Sequence, residues 1–481
     1  MSVSMNRSGA IQATLAEVDP DGELAPCGLR LLRLGDGAIH SVAGTVTELL
    51  EPTPPVRRPV VVQLEDRTTI RRGGEDVKDL VARQLRDHYD VRRVVLDDGH
   101  AELHVVPDVV DEAARAASGV DAVVAVGGGT ISDIGKVAAR RLGGPGPVLV
   151  TVQTAASVDG YTDDVSVVLR DGVKRTVPSR WPDALVADAQ VIAEAPAAMN
   201  RAGFGEMTSM LVAPADWKLA SLAGIGTTFR PAAVRLLDRV GADLDVWSSG
   251  VRSADPGDVA ELTRALALRG VATGVSGTTA VLSGVEHLVS HMLDQYNAER
   301  RLPMGLHGAQ VGVAAVVAAA AWELLFDRLP AGNDVRLRDD RLDADRARSD
   351  VDKAFAAIDQ TGRIAVECWH DYAAKLAKAT AARPRIERLL SGWDRHEPEL
   401  RTLRRPSGVI ASALRAAGAA VSFAELDPAV TPDVARWAVA NCALMRNRFT
   451  VVDLLTFLGW WQDADVDEVL DQARSAGRQV A

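Results

Sequence analysis

Three of the chain's nine histidines fall within twenty-one residues, at His287, His291 and His307. His287 and His291 are four apart, so on a helix they share one face. The stretch Arg300 to Gly305 contains a proline and a glycine and can return the chain to bring His307 beside them. Imidazole is the commonest protein ligand for zinc-like ions, and a catalytic site uses three protein ligands with one position left open. A carboxylate would complete the set. Glu206, in Ala202-Gly203-Phe204-Gly205-Glu206-Met207, stands where a helix is expected to open and could supply it. The plain alternatives are two histidines hydrogen-bonded to backbone, and a first-turn carboxylate gaining a fraction of a kcal/mol from the helix dipole. Glu286 and His307-Gly308, close to the histidine pair, weigh toward a metal.

A second stretch suits an anion. Asp121 to Lys136 reads DAVVAVGGGTISDIGK: a buried-strand run, the turn Gly127-Gly128-Gly129, and a helix starting at Thr130. Glycines let backbone approach a pyrophosphate, and the free N–H groups and positive end of the new helix face its oxygens. The GxGxxG spacing is absent. A third stretch, Val152 to Gly160, follows a strand at its carboxyl end, where ligands bind in parallel sheets. Its hydroxyls and Asp159 could hold a nicotinamide and a polyol, although Asp-Gly is also a plain turn signal.

These side chains need elements to position them. A length of 481 residues implies more than one domain. Residues 1–35 read as an N-terminal extension, partly ordered at best. Residues 36–195 alternate aliphatic strands (Val60–Leu64, Arg93–Leu96, His104–Val106, Ala122–Val126, Val148–Val152, Ala184–Ala187) with helices such as Val77–His88, Val109–Ala117 and Ile131–Arg141. That alternation predicts a parallel sheet covered on both faces. Asp171-Gly172 signals a hairpin. From residue 196 to 481 the spacing is helical and rich in Ala and Leu, with a solvated charged excursion at Asp334–Asp352. No internal repeat is found.

Composition narrows the class. The net charge of −11 lacks a basic stripe, which argues against nucleic acid and against an anionic membrane surface. Cys27, Cys368 and Cys442 show neither disulfide nor metal-knuckle spacing and fit a reducing compartment. The longest apolar run, Val311–Leu325, is interrupted by Glu323, so no membrane span is expected and a cytoplasmic location is.

Taken in order, GGGTISDIGK, TAASVDGY, Lys174 in DGVKRTVP, GFGE with DWKLA, SGVEHLVSHMLDQ, LHGAQVGV and MRNRFTVVDLL resemble the sn-glycerol-1-phosphate dehydrogenases. This is a branch of the superfamily that also holds glycerol dehydrogenases, iron-containing alcohol dehydrogenases and dehydroquinate synthases. The resemblance implies an α/β Rossmann-like domain, an all-α domain after it and an active-site cleft between them. By position it implies metal ligation by Glu206, His287 and His307, with zinc first and nickel or iron as alternatives. It implies NAD or NADP on Gly127, Gly128, Gly129, Thr130, Asp133 and Lys136, with Thr154 and Ser157 on the nicotinamide side. Glu65 or Asp66, after the first strand, could take the ribose hydroxyls. Asp159, His291 and Lys174 fall to the catalytic side.

The implied activity is oxidoreduction of a polyol or polyol phosphate, with glycerol 1-phosphate as the specific expectation and a homo-oligomer left open. An NAD-dependent sugar-phosphate cyclase or lyase, or a weakened nucleotide-binding relative, is the alternative. Two departures matter. Where the family has aspartate, Glu206 is one methylene longer and would overshoot the ion by roughly 1–1.5 Å at fixed backbone. On that basis Glu206→Asp should be tolerated or tighten the metal. Val152-Gln153-Thr154 replaces Val-Pro-Thr, and Asp163-Asp164 would put an acidic pair beside a substrate phosphate.

Overall fold

A computed structural model describes residues 9–50, 57–144, 146–170, 173–241, 244–329 and 335–478, with the side chains at 170, 173, 174 and 245 outside that description. Six strands form one parallel sheet: β1 (Leu31–Gly35), β2 (Val60–Glu65), β3 (Asp90–Val95), β4 (Ala122–Gly127), β5 (Val148–Gln153) and β8 (Ala184–Asp188). Their spatial order is β1-β8-β5-β4-β2-β3. A separate antiparallel hairpin pairs β6 (Val165–Arg170) with β7 (Val173–Pro178). Asp171 and Gly172, which signalled it, lie outside the described residues.

The aliphatic runs are continuous because both sheet faces are covered. On β4, Val124 and Val126 join one buried cluster and Val123 and Ala125 the other. Successive strand side chains point to opposite faces, so each run feeds two cores at once. Helices α1 (Ala10–Val18), α2 (Val42–Leu50), α3 (Val77–Arg86), α4 (Pro107–Ala117) and α5 (Gly129–Arg141) accompany the sheet. The chain continues through α6 (Ala197–Met207), α7 (Ala213–Ala223), α8 (Pro231–Gly241), α9 (Leu244–Ser253), α10 (Pro256–Ser276), α11 (Val285–Arg300) and α12 (His307–Arg328). Then come α13 (Ala344–Ala356), α14 (Arg363–Ser391), α15 (Ser407–Ala416), α16 (Val451–Leu458) and α17 (Asp463–Arg478).

Two compact units result. Unit 1 holds residues up to Gly203 together with Ala232–Gly277, and unit 2 holds Phe204–Pro231 with Thr278–Ala481. The stretch read as an extension therefore contributes α1 and a sheet strand. β1 pairs with β8 in register Leu31↔Ala184, and Leu31 and Leu32 are buried. Glycines and prolines masked a strand of only five residues. Residues 232–277, read as part of the helical domain, return to unit 1. Periodicity reports a helix but not the core it packs against. The strand expected at His104–Val106 is instead an irregular lead into α4, whose first residue is Pro107. Val105 still sends its carbonyl to the Leu169 N–H. Among the described residues one helix, α12, is long and apolar enough to cross a membrane. Its apolar stretch is 89% buried, and its Glu323 accepts bonds from Arg404, Ser407 and Gln472.

Candidate functional site

The metal-type cluster forms within unit 2. Gly205 of α6 lies backbone to backbone against α12. A Cβ at Gly205 would sit 2.2 Å from the Gly308 carbonyl, and one at Gly312 would sit 2.8 Å from the Gly205 Cα. Only glycines permit that approach, and it carries Glu206 to the start of α12, where His307 is the first residue. His287 comes from the first turn of α11. Its Nε2 is 3.3 Å from Glu206 Oε1, and His307 Nε2 is 3.7 Å from Glu206 Oε2. One donor atom from each of the three lies within 4.8 Å of the other two.

The outer contacts fix which nitrogens face inward. His287 Nδ1 lies 2.9 Å from Glu286 Oε1, which also accepts the Gly284 N–H at 2.6 Å. The Ser290 hydroxyl donates to Gln310 Oε1 at 2.7 Å, so its oxygen is left to accept from His307 Nδ1 at 3.0 Å. Both Nδ1 atoms are occupied and both Nε2 atoms turn toward Glu206. Metal-binding histidines are oriented in this way by carboxylate and hydroxyl partners. Donors about 2.1 Å from one ion in a tetrahedron lie about 3.4 Å apart, which the observed spacings approach.

Charge supports the same reading. Glu206 was expected in the first turn of a helix, but it is the penultimate residue of α6 and is buried. The helix dipole is negative at that end, so the explanation by favourable dipole does not apply and a carboxylate there calls for a cation. Burial alone would lower the His287 pKa. The hydrogen bonds and charges of Glu206 and Glu286 outweigh it and hold the imidazole up at about 9. The donor set fits a divalent ion. His291 stands beside it, its ring stacked on His307 at 5.8 Å.

In unit 1 the glycine elbow lies at the carboxyl edge of β4. Helix α5 begins at Gly129 with no side-chain cap and no acid in its first turn, which contains Thr130. A Cβ at Gly128 would meet nothing within 4 Å, so the backbone there borders open space. An uncapped helix start beside such space fits a pyrophosphate. The Thr154 N–H donates to the Gly127 carbonyl at 3.3 Å, drawing the following loop against the elbow, and Ser157 bonds Tyr161 in that loop.

The charged residues nearby are engaged elsewhere. Lys136 is fully buried, ion-paired with Asp163 and donating to the Gly160 carbonyl at 2.6 Å and to the Val165 carbonyl. Asp133 lies 3.6 Å from Lys136 and accepts the Val167 N–H. Lys136 and Asp133 thus pin the loop and β6 to α5. Asp163 is drawn inward by Lys136, so it does not form the exposed acidic pair expected beside a substrate phosphate. Asp159 pairs with Arg269 of α10 at 3.1 Å. Glu65 pairs with Arg93 at 2.8 Å, and Asp66 with Lys78 at 2.6 Å. The Lys174 backbone pairs with Leu169 across the hairpin, and its side chain is outside the described residues.

Replacing Lys136 with methionine leaves Asp163 buried without its cation. The expected cost is about 3–5 kcal/mol in urea unfolding. A loss below about 1 kcal/mol would show that Lys136 does not hold this loop.

Sequence reasoning missed Arg269 and gave Ser290 no role. Ser290 was within reach, since it lies three residues after His287 and shares its helix face. Arg269 lies 110 residues from Asp159, and nothing local marks it. A second cluster, Asp98, His100 and His104, owes its closeness to Asp98 accepting the N–H groups of both histidines.

A family model described as iron-containing alcohol dehydrogenase matches residues 36–196. Glycerol-1-phosphate dehydrogenase (NAD(P)+) of Haloquadratum walsbyi is 31% identical over 283 residues, covering 58% of this chain and 74% of that protein. The chain belongs to the glycerol-1-phosphate dehydrogenase family of the iron-containing alcohol dehydrogenase superfamily. The enzyme of the same name from Pyrococcus furiosus is 33% identical over 250 residues, 51% of this chain and 66% of its own length. For three further relatives that share is 51%, 51% and 49%, so the chain spans about half to two thirds of the first relatives it matches. In fold, the chain is similar to the solved glycerol dehydrogenase of Schizosaccharomyces pombe, with a TM-score of 0.56 at 14% identity, covering 93% of this chain and 90% of that one.

Proposed function

We propose that this family member is a divalent-metal-dependent NAD(P) oxidoreductase that interconverts sn-glycerol 1-phosphate and dihydroxyacetone phosphate. The observation that carries the proposal is the convergence of Glu206, His287 and His307, with Glu286 and Ser290 turning both Nε2 atoms toward the carboxylate. The names of the relatives supply the substrate class. An ion held by Glu206, His287 and His307, zinc first, would supply a Lewis acid for the reacting oxygen, and a dinucleotide held at the Gly127-Gly128-Gly129 elbow would supply the hydride chemistry.

The chain's own residues do the positioning. Glu206 matches the ion's charge, and the two outer partners keep the imidazoles from rotating. His291, stacked on His307, lies close enough to the donors to influence a proton on the substrate oxygen without being one of the three ligands. The uncapped start of α5 takes the pyrophosphate, and Gly128 leaves it room.

Elemental analysis of the freshly purified chain, with a polyol-phosphate panel read by NAD(P)H absorbance, tests the reading. One equivalent of metal and turnover of glycerol 1-phosphate are expected. Gly128→Leu should raise the Kd for dinucleotide at least about tenfold, or 1.4 kcal/mol, with an unchanged unfolding temperature. Metal-loaded protein that turns over no polyol phosphate, or equal dinucleotide affinity in the variant, would overturn it.

A further inference from the structure

We propose that a cavity within unit 2, bordered by Arg448, Lys378, Asn447, Thr227, Thr278 and Ser283, binds the phosphoryl group of a phosphate monoester. This deepens the function proposed above and rests on it for the source of the phosphoryl group, not for the existence of the site. The cavity measures about 310 Å³, and Trp217 and Phe449 give it apolar walls.

Two cations border the cavity beside the hydroxyl groups of Thr227, Thr278 and Ser283. Lys378 is exposed and, among the described residues, its ammonium has neither an ion pair nor a hydrogen-bond partner. Arg448 is half-buried and held in place by two of its N–H groups, which donate to the Ser283 carbonyl and, at 2.6 Å, to the Thr279 hydroxyl. A guanidinium carries five N–H donors, so others remain for a ligand. Burial lowers the Arg448 pKa to about 10, which still leaves it cationic at neutral pH. The Thr227 oxygen accepts the Trp217 indole N–H at 3.0 Å and lies 3.5 Å from the Thr278 hydroxyl oxygen.

The one acid on the wall is neutralised locally. Asp216 Oδ1 accepts the Val451 N–H at 2.9 Å and Oδ2 the Val285 N–H at 3.1 Å. Burial, with the nearby Glu286 charge, also pushes its pKa up to about 8. The two cations would repel a metal ion, and together with the hydroxyl and amide groups they exceed what a neutral polyol needs. A phosphate monoester, with nearly two negative charges and three acceptor oxygens at neutral pH, uses them all.

The cavity is also tied to the metal-type cluster. Ser283 is four residues before His287, and the segment between them is pinned at both ends. Arg448 holds the Ser283 carbonyl, and Glu286 holds the Gly284 N–H while contacting His287. A Cβ at Gly284 would lie 2.4 Å from Asp216 Oδ2, so this segment has no slack.

The phosphoryl group could be the substrate's own or that of a separate small anion. The test uses the full chain with its metal and inorganic phosphate as the probe, followed by calorimetry or phosphorus NMR. Wild type should bind phosphate, and Lys378→Met, a surface change that should not disturb folding, should weaken binding about tenfold. Arg448→Met should weaken it further, with metal content measured alongside. If phosphate competes with glycerol 1-phosphate, and Lys378→Met raises KM for that substrate but not for glycerol, the group is the substrate's own. If phosphate changes kcat without competing, it comes from a separate anion. Both outcomes keep the site. Equal phosphate affinity in wild type, Lys378→Met and Arg448→Met would remove it. If wild type binds phosphate at this site but oxidises no polyol phosphate, the proposed function falls and the site stands.

Discussion

Replacing His287 with alanine should strip the metal from the protein and remove turnover with it. Three donors are the minimum set for a catalytic ion, and His287 supplies the closer of the two imidazole contacts to Glu206. Losing an outer partner of a metal ligand costs about 10–100-fold in affinity, and losing the ligand itself should cost more. Metal per chain, measured by elemental analysis after gel filtration, should fall to background together with kcat. His307→Ala should behave alike. His291→Ala should keep its metal and lose turnover only, because its ring stacks on His307 without joining the donor set. If His291→Ala loses metal and His307→Ala keeps it, the ligand assignment is wrong.

The same residue sets a pH dependence. The metal-free His287 stays protonated up to about pH 9, and an incoming ion must displace that proton. Apparent metal affinity should therefore climb about tenfold per pH unit until it levels near 9. For the metal-free fold the sign is opposite. A pKa raised above the ordinary 6.5 stabilises the folded state fully below that value, and the gain is lost as pH rises through 9.

Much of this site could be read from the sequence because its signals are local. The glycine elbow is a strand, a turn and a helix start in sixteen consecutive residues, and α11 carries His287 with both Glu286 and Ser290 inside one turn. What escaped depends on contacts between distant positions. Lys136 carries the residue type expected at a phosphate elbow, yet its partner Asp163 is 27 residues away and takes its charge. Glu65 and Asp66 follow the first strand as two carboxylates suited to a ribose, and in the fold Arg93 and Lys78 pair with them. Helix α10 has the same Ala- and Leu-rich spacing as the helices of unit 2, but Arg269 and its neighbours pack in unit 1. Glu206 was placed at the wrong end of its helix because its two flanking glycines resemble a helix entry. Here Gly205 is the contact surface for α12, and Gly203 packs against the Ala156 carbonyl.

That contact reverses what the sequence alone predicts for Glu206→Asp. From the family's usual residue, the shorter side chain should be tolerated or even tighten the metal. The structure places the Gly205 backbone directly against Gly308 and Gly312, so α6 cannot move closer to α12 to follow a shortened carboxylate. Glu206 reaches its neighbours at 3.3 and 3.7 Å with its full length. Removing one methylene withdraws the oxygens by roughly 1–1.5 Å, against a metal–ligand tolerance of about 0.2 Å. Glu206→Asp should therefore weaken metal binding about 10–100-fold, on the scale of losing an outer partner. Glu206→Gln should weaken it more, because the amide keeps the reach but loses the charge that balances the ion. The order wild type, then Asp, then Gln, measured by chelator competition, is the expected result. If Asp binds more tightly than wild type, the helix contact yields and the family's shorter geometry is available here. If Gln binds as tightly as wild type, the ion takes its carboxylate from another residue.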